Sequence, residues 1–128
     1  YIVDGSDNFQ TKFLLNDTCL KYKKNLFTGA VSKFDGHIFN FNFKKKTPCF
    51  RCFMPEVPIL ENNCESEGVM STLAGIAGTL QANEVINSIL NNKKNLPGEM
   101  LVFNSLTTNF RKIKLKKNPN CIKECTKK

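Results

Sequence analysis

A chain of 128 residues with 41% hydrophobic content and eleven phenylalanines carries enough apolar material for one core and too little length for several domains. Its formal net charge is +8, but residues 111 to 128 hold eight Lys or Arg against Glu124, which leaves +1 for residues 1 to 110, so the basic character reads as a property of the tail. No run approaches the roughly 20 apolar residues of a helical membrane span and nothing at the start has the form of a signal peptide, so the expectation is a soluble, cytoplasmic protein.

Tyr1-Ile2-Val3-Asp4 reads as a buried strand end entered without an initiator Met, a cap or a polar lead-in, which sets the expectation that a segment upstream is missing. A Gly-Ser-Asp-Asn turn follows, then an amphipathic helix over residues 9 to 21 with Phe13, Leu14 and Leu20 on or near its apolar face. The turn puts Asp7 at the C-terminal end of a strand, the edge at which open α/β sheets hold ligands. Residues 26 to 31 form a second strand. After a turn at 33 to 36, residues 38 to 43 alternate Phe39, Phe41 and Phe43 with Asn40 and Asn42, the pattern of a half-buried antiparallel strand with one polar face. The run Lys44-Lys45-Lys46-Thr47-Pro48 ends that strand and delivers the chain to Cys49.

Residues 54 to 66 have loop composition and lead into an apolar helix over residues 67 to 90, with Val69, Leu73, Ile76, Leu80 and Val85 near helical spacing. Gly75 and Gly78 each cost such a helix about 1 kcal/mol relative to Ala, which close packing against a neighbouring element would explain. A polar turn at 91 to 98 precedes a strand pair at 100 to 103 and 111 to 115. The elements together predict one α/β unit with a mixed sheet.

Six cysteines in a chain without an export signal point to metal binding or thiol chemistry rather than disulfides. Cys49-Phe50-Arg51-Cys52 and Cys121-Ile122-Lys123-Glu124-Cys125 are two pairs from distant segments, the pattern of a closed four-thiolate structural zinc site; independent thiols or a redox pair are the alternatives. Asp4 and Asp7 flank Gly5-Ser6 and could hold Mg(II) and phosphate oxygens, while Asp and Asn at such a place also serve as helix caps. Cys64 stands just before a helix, where the dipole favours a thiolate and its acidic neighbours oppose one, so reactive and inert roles both stand. Cys19 reads as a small core residue, and His37, the one histidine, as surface structure without a catalytic partner. The Phe-rich strand suits core packing better than base stacking because Asn alternates where basic residues would be needed.

In order along the chain, VDGSDN, FLLN, TGAVSKFDGHI, PCFRC, NCESEGVMSTLAGIAGTLQANEVI and NPNCIKEC resemble the C-terminal half of the MoeB/ThiF/HesA-type adenylyltransferases, relatives of ubiquitin-activating enzymes. The resemblance implies the C-terminal half of a Rossmann-like fold with a zinc-clipped C-terminus, in an enzyme that uses ATP and Mg(II) to adenylate the C-terminal glycine of a β-grasp sulfur-carrier protein of the MoaD or ThiS kind. It implies Asp7 as catalytic magnesium ligand, Asp7, Asn8 and Lys12 as nucleotide contacts, Cys64 as a thiol of sulfur transfer, and Cys49, Cys52, Cys121 and Cys125 as zinc ligands. Members commonly dimerise. The chain departs from the family in carrying Lys12 where an Arg is usual, in spacing its last cysteines by three residues, and in lacking the glycine-rich phosphate loop. Catalysis by this chain alone is therefore not expected, and a non-enzymatic zinc-held binding module is the alternative; a nucleic-acid binder would rest on the basic tail alone.

Overall fold

The computed structural model describes residues 1–58, 68–95, 97–121 and 125. Five strands form one mixed sheet in the order β1 to β5: β1 (Ile2–Asp4) runs parallel to β2 (Asn25–Ser32), and β3 (Asp35–Asn42), β4 (Glu99–Asn104) and β5 (Asn109–Lys114) follow antiparallel. Helix α1 (Phe9–Lys21) links β1 to β2, the single turn α2 (Phe50–Phe53) follows β3, and α3 (Ser71–Ile89) precedes β4.

Helix α1 starts where Asn8 turns its Oδ1 onto the Thr11 N–H at 2.8 Å, which satisfies one of the free amides of the first turn. It stops in a Schellman motif: the Lys24 N–H reaches the Cys19 carbonyl, the Lys23 N–H reaches Leu20, and Lys23 takes φ of 51°. Helix α3 ends the same way, with Asn92 N–H on Asn87, Asn91 N–H on Ser88, and Asn91 at φ of 52°.

Cross-strand pairing sorts the residues of β2 and β3 onto two covered faces, while β5 is exposed along its whole length. Leu26 stands opposite Phe41 and Thr28 opposite Phe39, and this face packs on α1 and α2, with Phe39 and Phe13 both edge-on to Phe50 at 5.4 Å. Phe27, Gly29, Ile38 and Asn40 share the other face, under α3, where Leu73 and Ala77 come against Gly36. Phe27, Phe39 and Phe41 are wholly buried, each worth about 2 to 3 kcal/mol.

Six expectations are corrected. The first strand is not buried: β1 is the edge of the sheet, and Ile2 and Val3 are exposed while Asp4 alone is covered. Leu14 is exposed, since the face of α1 turned to the core carries Lys12, Phe13, Asn16 and Cys19. The second face of β3 is not solvated: Asn40 is buried because α3 lies over it, and its Nδ2 donates to Glu84 Oε2 and Asn95 Oδ1. Helix α3 begins at Ser71, and Gly68, Val69 and Met70 before it are not helical, so Val69 is outside the helix rather than on its apolar face. Its buried residues are Leu73, Ala77 and Gln81. Gly75 and Gly78 meet no neighbouring element among the described residues. Phe43 lies past the end of β3 yet is buried.

Candidate functional site

Two constellations stand out, one at each side of α1. The first surrounds the end of β1. Asp4 is buried, and its Oδ1 accepts the Ser6 N–H at 2.8 Å, which folds the turn that follows the strand. Its Oδ2 takes the Lys12 ammonium at 3.0 Å and the Thr28 hydroxyl. Lys12 Nζ also donates to the Gly29 carbonyl at 2.6 Å and to Thr28 Oγ1 at 3.3 Å, and its side chain is 5% exposed. Burial alone would push the Asp4 carboxyl up, but the hydrogen bonds from Ser6, Thr28 and Lys12 outweigh it and hold the carboxyl below its ordinary value. From the opposite face, Gln81 Nε2 donates to the carbonyls of Asp4 and Phe27 at 2.8 and 2.9 Å. Beyond this knot, Asp7 and Asn8 are exposed.

Lys12 thus lies inside the knot with its charge committed to Asp4, where the family resemblance implies a nucleotide contact. Asn8 Oδ1 is occupied as the α1 cap, the other of the two roles weighed for it. Cys64 lies outside the described residues. Cys19 is buried in the core, and His37 sits half-buried within β3, opposite Ala30 and Val102, where burial lowers its pKa.

The second constellation gathers the two cysteine pairs. Gly98, at φ of 87°, opens β4 and has no side chain to collide with Pro48; an added Cβ would stand 3.0 Å from its ring. Pro48 leads into Cys49, which starts α2, and Asn16, wholly buried on α1, accepts the Phe50 N–H at 2.8 Å and fixes that turn. Arg51 lies over the Phe13 ring and forms two bonds to Asp17, 2.8 and 2.9 Å long. The C-terminal segment closes on this knuckle. Cys49 Sγ is 3.6 Å from Cys121 Sγ and 3.9 Å from Cys52 Sγ, Cys52 Sγ is 3.2 Å from Cys125 Sγ, and all four sulfurs lie within 4.8 Å of one another.

A central ion about 2.3 Å from four tetrahedral sulfurs requires edges of roughly 3.8 Å, so this set fits a thiophilic metal. The thiols are free rather than paired in disulfides. Burial and the neighbouring Cys52 push the Cys49 thiol up to about 12, and burial raises Cys125 as well, so without a cation these two sulfurs resist ionisation; at Cys52 burial also opposes the thiolate, but hydrogen bonds from the Asn118 and Cys49 backbone outweigh it and lower the pKa. A bound metal reverses that preference by ionising the thiols it coordinates. A metal held by all four sulfurs would have a closed shell, the form that stabilises a fold and leaves no open position for a substrate.

The sequence pattern of the ThiF family matches residues 1–123. The chain belongs to the ThiF family. It is 44% identical over 117 residues to a probable molybdopterin-synthase adenylyltransferase of Pyropia yezoensis, covering 89% of this chain and 31% of that protein. It is 38% identical over 123 residues to the adenylyltransferase and sulfurtransferase MOCS3 of Anopheles gambiae, covering 94% and 28%. The chain thus spans less than a third of the curated relatives it matches. The fold matches that of part of E. coli MccB, in a structure solved with AMPCPP and MccA: TM-score 0.72, 17% identity, 94% of this chain and 38% of that one. Cys125 lies past the stretch matched to the ThiF family, yet the fold brings it to the other three cysteines. Among the described residues no helix is long and apolar enough to cross a membrane.

Asn16, Asp17 and Gln81 are the site-positioning residues that sequence reasoning missed. Each is a polar residue on a helix, and the only signal for Gln81 was its four-residue spacing from Ala77 and Leu73.

Proposed function

We propose that this chain supplies the metal-held part of a domain that adenylates the C-terminal glycine of a β-grasp sulfur-carrier protein of the MoaD or ThiS kind, in molybdopterin or thiamin sulfur assembly. What supports it is the ThiF match over residues 1–123 together with Asp7, exposed past the end of the parallel strand β1 and just ahead of α1. In the reaction a glycine carboxylate oxygen bonds to the α-phosphorus of ATP, the bond to pyrophosphate breaks, and pyrophosphate leaves. A sulfur nucleophile then attacks the activated carbonyl carbon and AMP departs. Magnesium would neutralise phosphate charge, with Asp7 as its ligand. The Asp4, Lys12 and Gln81 knot would hold the turn that presents Asp7, zinc would clip residues 49 to 52 to the C-terminal cysteines, and Cys64 would relay sulfur. The charge around phosphates on which adenylyl transfer depends must come largely from outside this chain, and residues 1–128 alone are expected to be inactive.

Carrier-dependent ATP–pyrophosphate exchange tests this, measured on the product of the full reading frame and on residues 1–128. Exchange is expected in the first and absent from the second, with a loss of about 100-fold on Asp7→Ala at unchanged metal content. No exchange in the full product would overturn the proposal in favour of a non-enzymatic, metal-held binding module. The commitment of the Lys12 charge to Asp4 favours that second reading.

A further inference from the structure

Four lysines of residues 1 to 110, a stretch whose basic and acidic residues nearly cancel in the sequence total, gather in space at the end of the sheet away from Asp7. A cleft of about 660 Å3 opens there between the start of β2, the end of β3 and the segment after α3, and Lys24, Lys44, Lys45 and Lys93 line it. The rest of the lining is mostly amide, including Asn25, Asn42 and Asn91. Among the described residues no Asp or Glu lines the cleft; the nearby Glu84 carboxylate accepts the Asn40 amide at 3.3 Å. The cleft and Asp7 lie beyond opposite ends of β1, since Tyr1 lines the cleft and Asp7 follows Asp4.

Three features give the cleft its form. The Schellman motif of α1 delivers Lys24 to it, and that of α3 delivers Asn91 and Asn92, followed by Lys93; in both, backbone N–H groups cover the last helix carbonyls that would otherwise repel an anion. Lys44 and Lys45 follow a strand and answer no helix dipole. Their backbone amides bond to the Asn42 side chain and carbonyl at 3.1 and 3.0 Å, which holds that turn at the rim. All the cations are Lys, point charges that suit phosphate, with none of the Arg forks that grip carboxylates by two parallel bonds. The amides supply neutral donors of the kind that contact phosphate and sugar oxygens. The volume is in the range of small-ligand sites, which run from about 300 to 1,000 Å3.

We propose that this cleft binds the phosphate groups of an anionic ligand, either a small phosphorylated molecule or a polynucleotide backbone. The test uses residues 1–128 with three probes: inorganic tripolyphosphate, a fluorescein-labelled oligouridylate twelve nucleotides long, and hexaglutamate. Saturable binding of a phosphate probe is expected, weakening with salt, with Kd raised about tenfold by the paired change Lys44→Glu and Lys45→Glu. The same change made at Lys116 and Lys117, exposed on the tail, leaves Kd within about twofold, and circular dichroism confirms that both variants fold. Tripolyphosphate binding that the oligouridylate does not exceed identifies a small ligand. A tighter oligouridylate, with a salt slope that drops by about 0.7 per lysine lost, identifies a strand. Phosphate binding weaker than about 1 mM overturns the proposal. Hexaglutamate bound as tightly, or equal losses from the two paired variants, overturns it too.

Discussion

The Lys12 ammonium and the Asp4 carboxylate meet at 3.0 Å with side chains 5% and 1% exposed, so the one cation near the end of β1 that the family resemblance marks for nucleotide is sealed into a buried ion pair. Removing one partner of such a pair strands the other charge, and Lys12→Met should cost about 3 to 5 kcal/mol in urea unfolding at pH 7. The sign of its pH dependence follows from the lowered Asp4 pKa. As pH falls, the unfolded chain protonates Asp4 first, so the contribution of this carboxylate is complete above about pH 5 and is lost as pH passes down through the folded value. The gap between the native chain and Lys12→Met should therefore narrow between pH 7 and pH 3; a gap that stays constant would show that the pair is not what the substitution disturbs.

Asn16 supports the cysteine cluster from α1. Its side chain holds the Phe50 N–H, one residue after Cys49, inside the core. Asn16→Ala leaves that amide buried without an acceptor, at about 1 to 3 kcal/mol. Partners that orient ligands commonly change metal affinity by about 10- to 100-fold, and competition with a chromophoric chelator should show a loss of that size.

The four cysteines predict one metal ion per chain, and Cys19 provides an internal control because it is equally buried but stands apart from the cluster. Cys125→Ser should give up its metal at chelator concentrations about 100-fold lower than the native chain, and excess chelator should lower Tm. Cys19→Ala should keep full metal content. A Cys125→Ser chain that retains tight metal would show that the sulfur 3.2 Å from Cys52 is only a neighbour.

Much of this was legible before the fold was known, and the losses have one cause. The α1 boundaries could be read because Asn8 caps its first turn locally and the apolar spacing marks its length. The cysteine pairs could be read because metal chemistry constrains spacing. Asn40, Asn16 and Gln81 could not, since a polar side chain on a strand or helix reads as facing water until its distant partner is known; Gln81 lies 77 residues from Asp4. Alternation in β3 suggested one solvated face for the same reason, because the helix that covers Asn40 comes much later in the chain. The lysine cleft was hidden by separation: Lys24, Lys44 and Lys93 are dispersed in the sequence and summed to almost no net charge with their acidic neighbours.

Gln81 offers a sharper test of how the two faces are tied. Its single amide nitrogen serves the carbonyls of Asp4 and Phe27, and its Oε1 stands 3.0 Å from where a Gly29 Cβ would be. Gln81→Leu keeps the volume but leaves two buried carbonyls unpaired, which should cost about 2 to 4 kcal/mol. Gly29→Ala presses on the same amide from the sheet and should be destabilising by about 1 kcal/mol or more. Combined, the two changes should cost less than their sum, because the leucine no longer carries the oxygen that the new methyl would meet; additive losses in a double-mutant cycle would mean that Gly29 is constrained by something other than Gln81.

Lys23 carries the opposite prediction. It holds φ of 51° in the Schellman turn of α1, a conformation in which a side chain is strained and glycine is not. Lys23→Gly should therefore stabilise the chain by about 0.5 to 1 kcal/mol, after allowing for the greater freedom that glycine gives the unfolded state. Thermal unfolding would register this as a rise in Tm. Lys23→Ala separates backbone from charge, since it removes the ammonium yet keeps the strain, and it should leave Tm nearly unchanged. If alanine stabilised as much as glycine, relief of repulsion among Lys21, Lys23 and Lys24 would be the cause, and the turn itself would carry no strain worth removing.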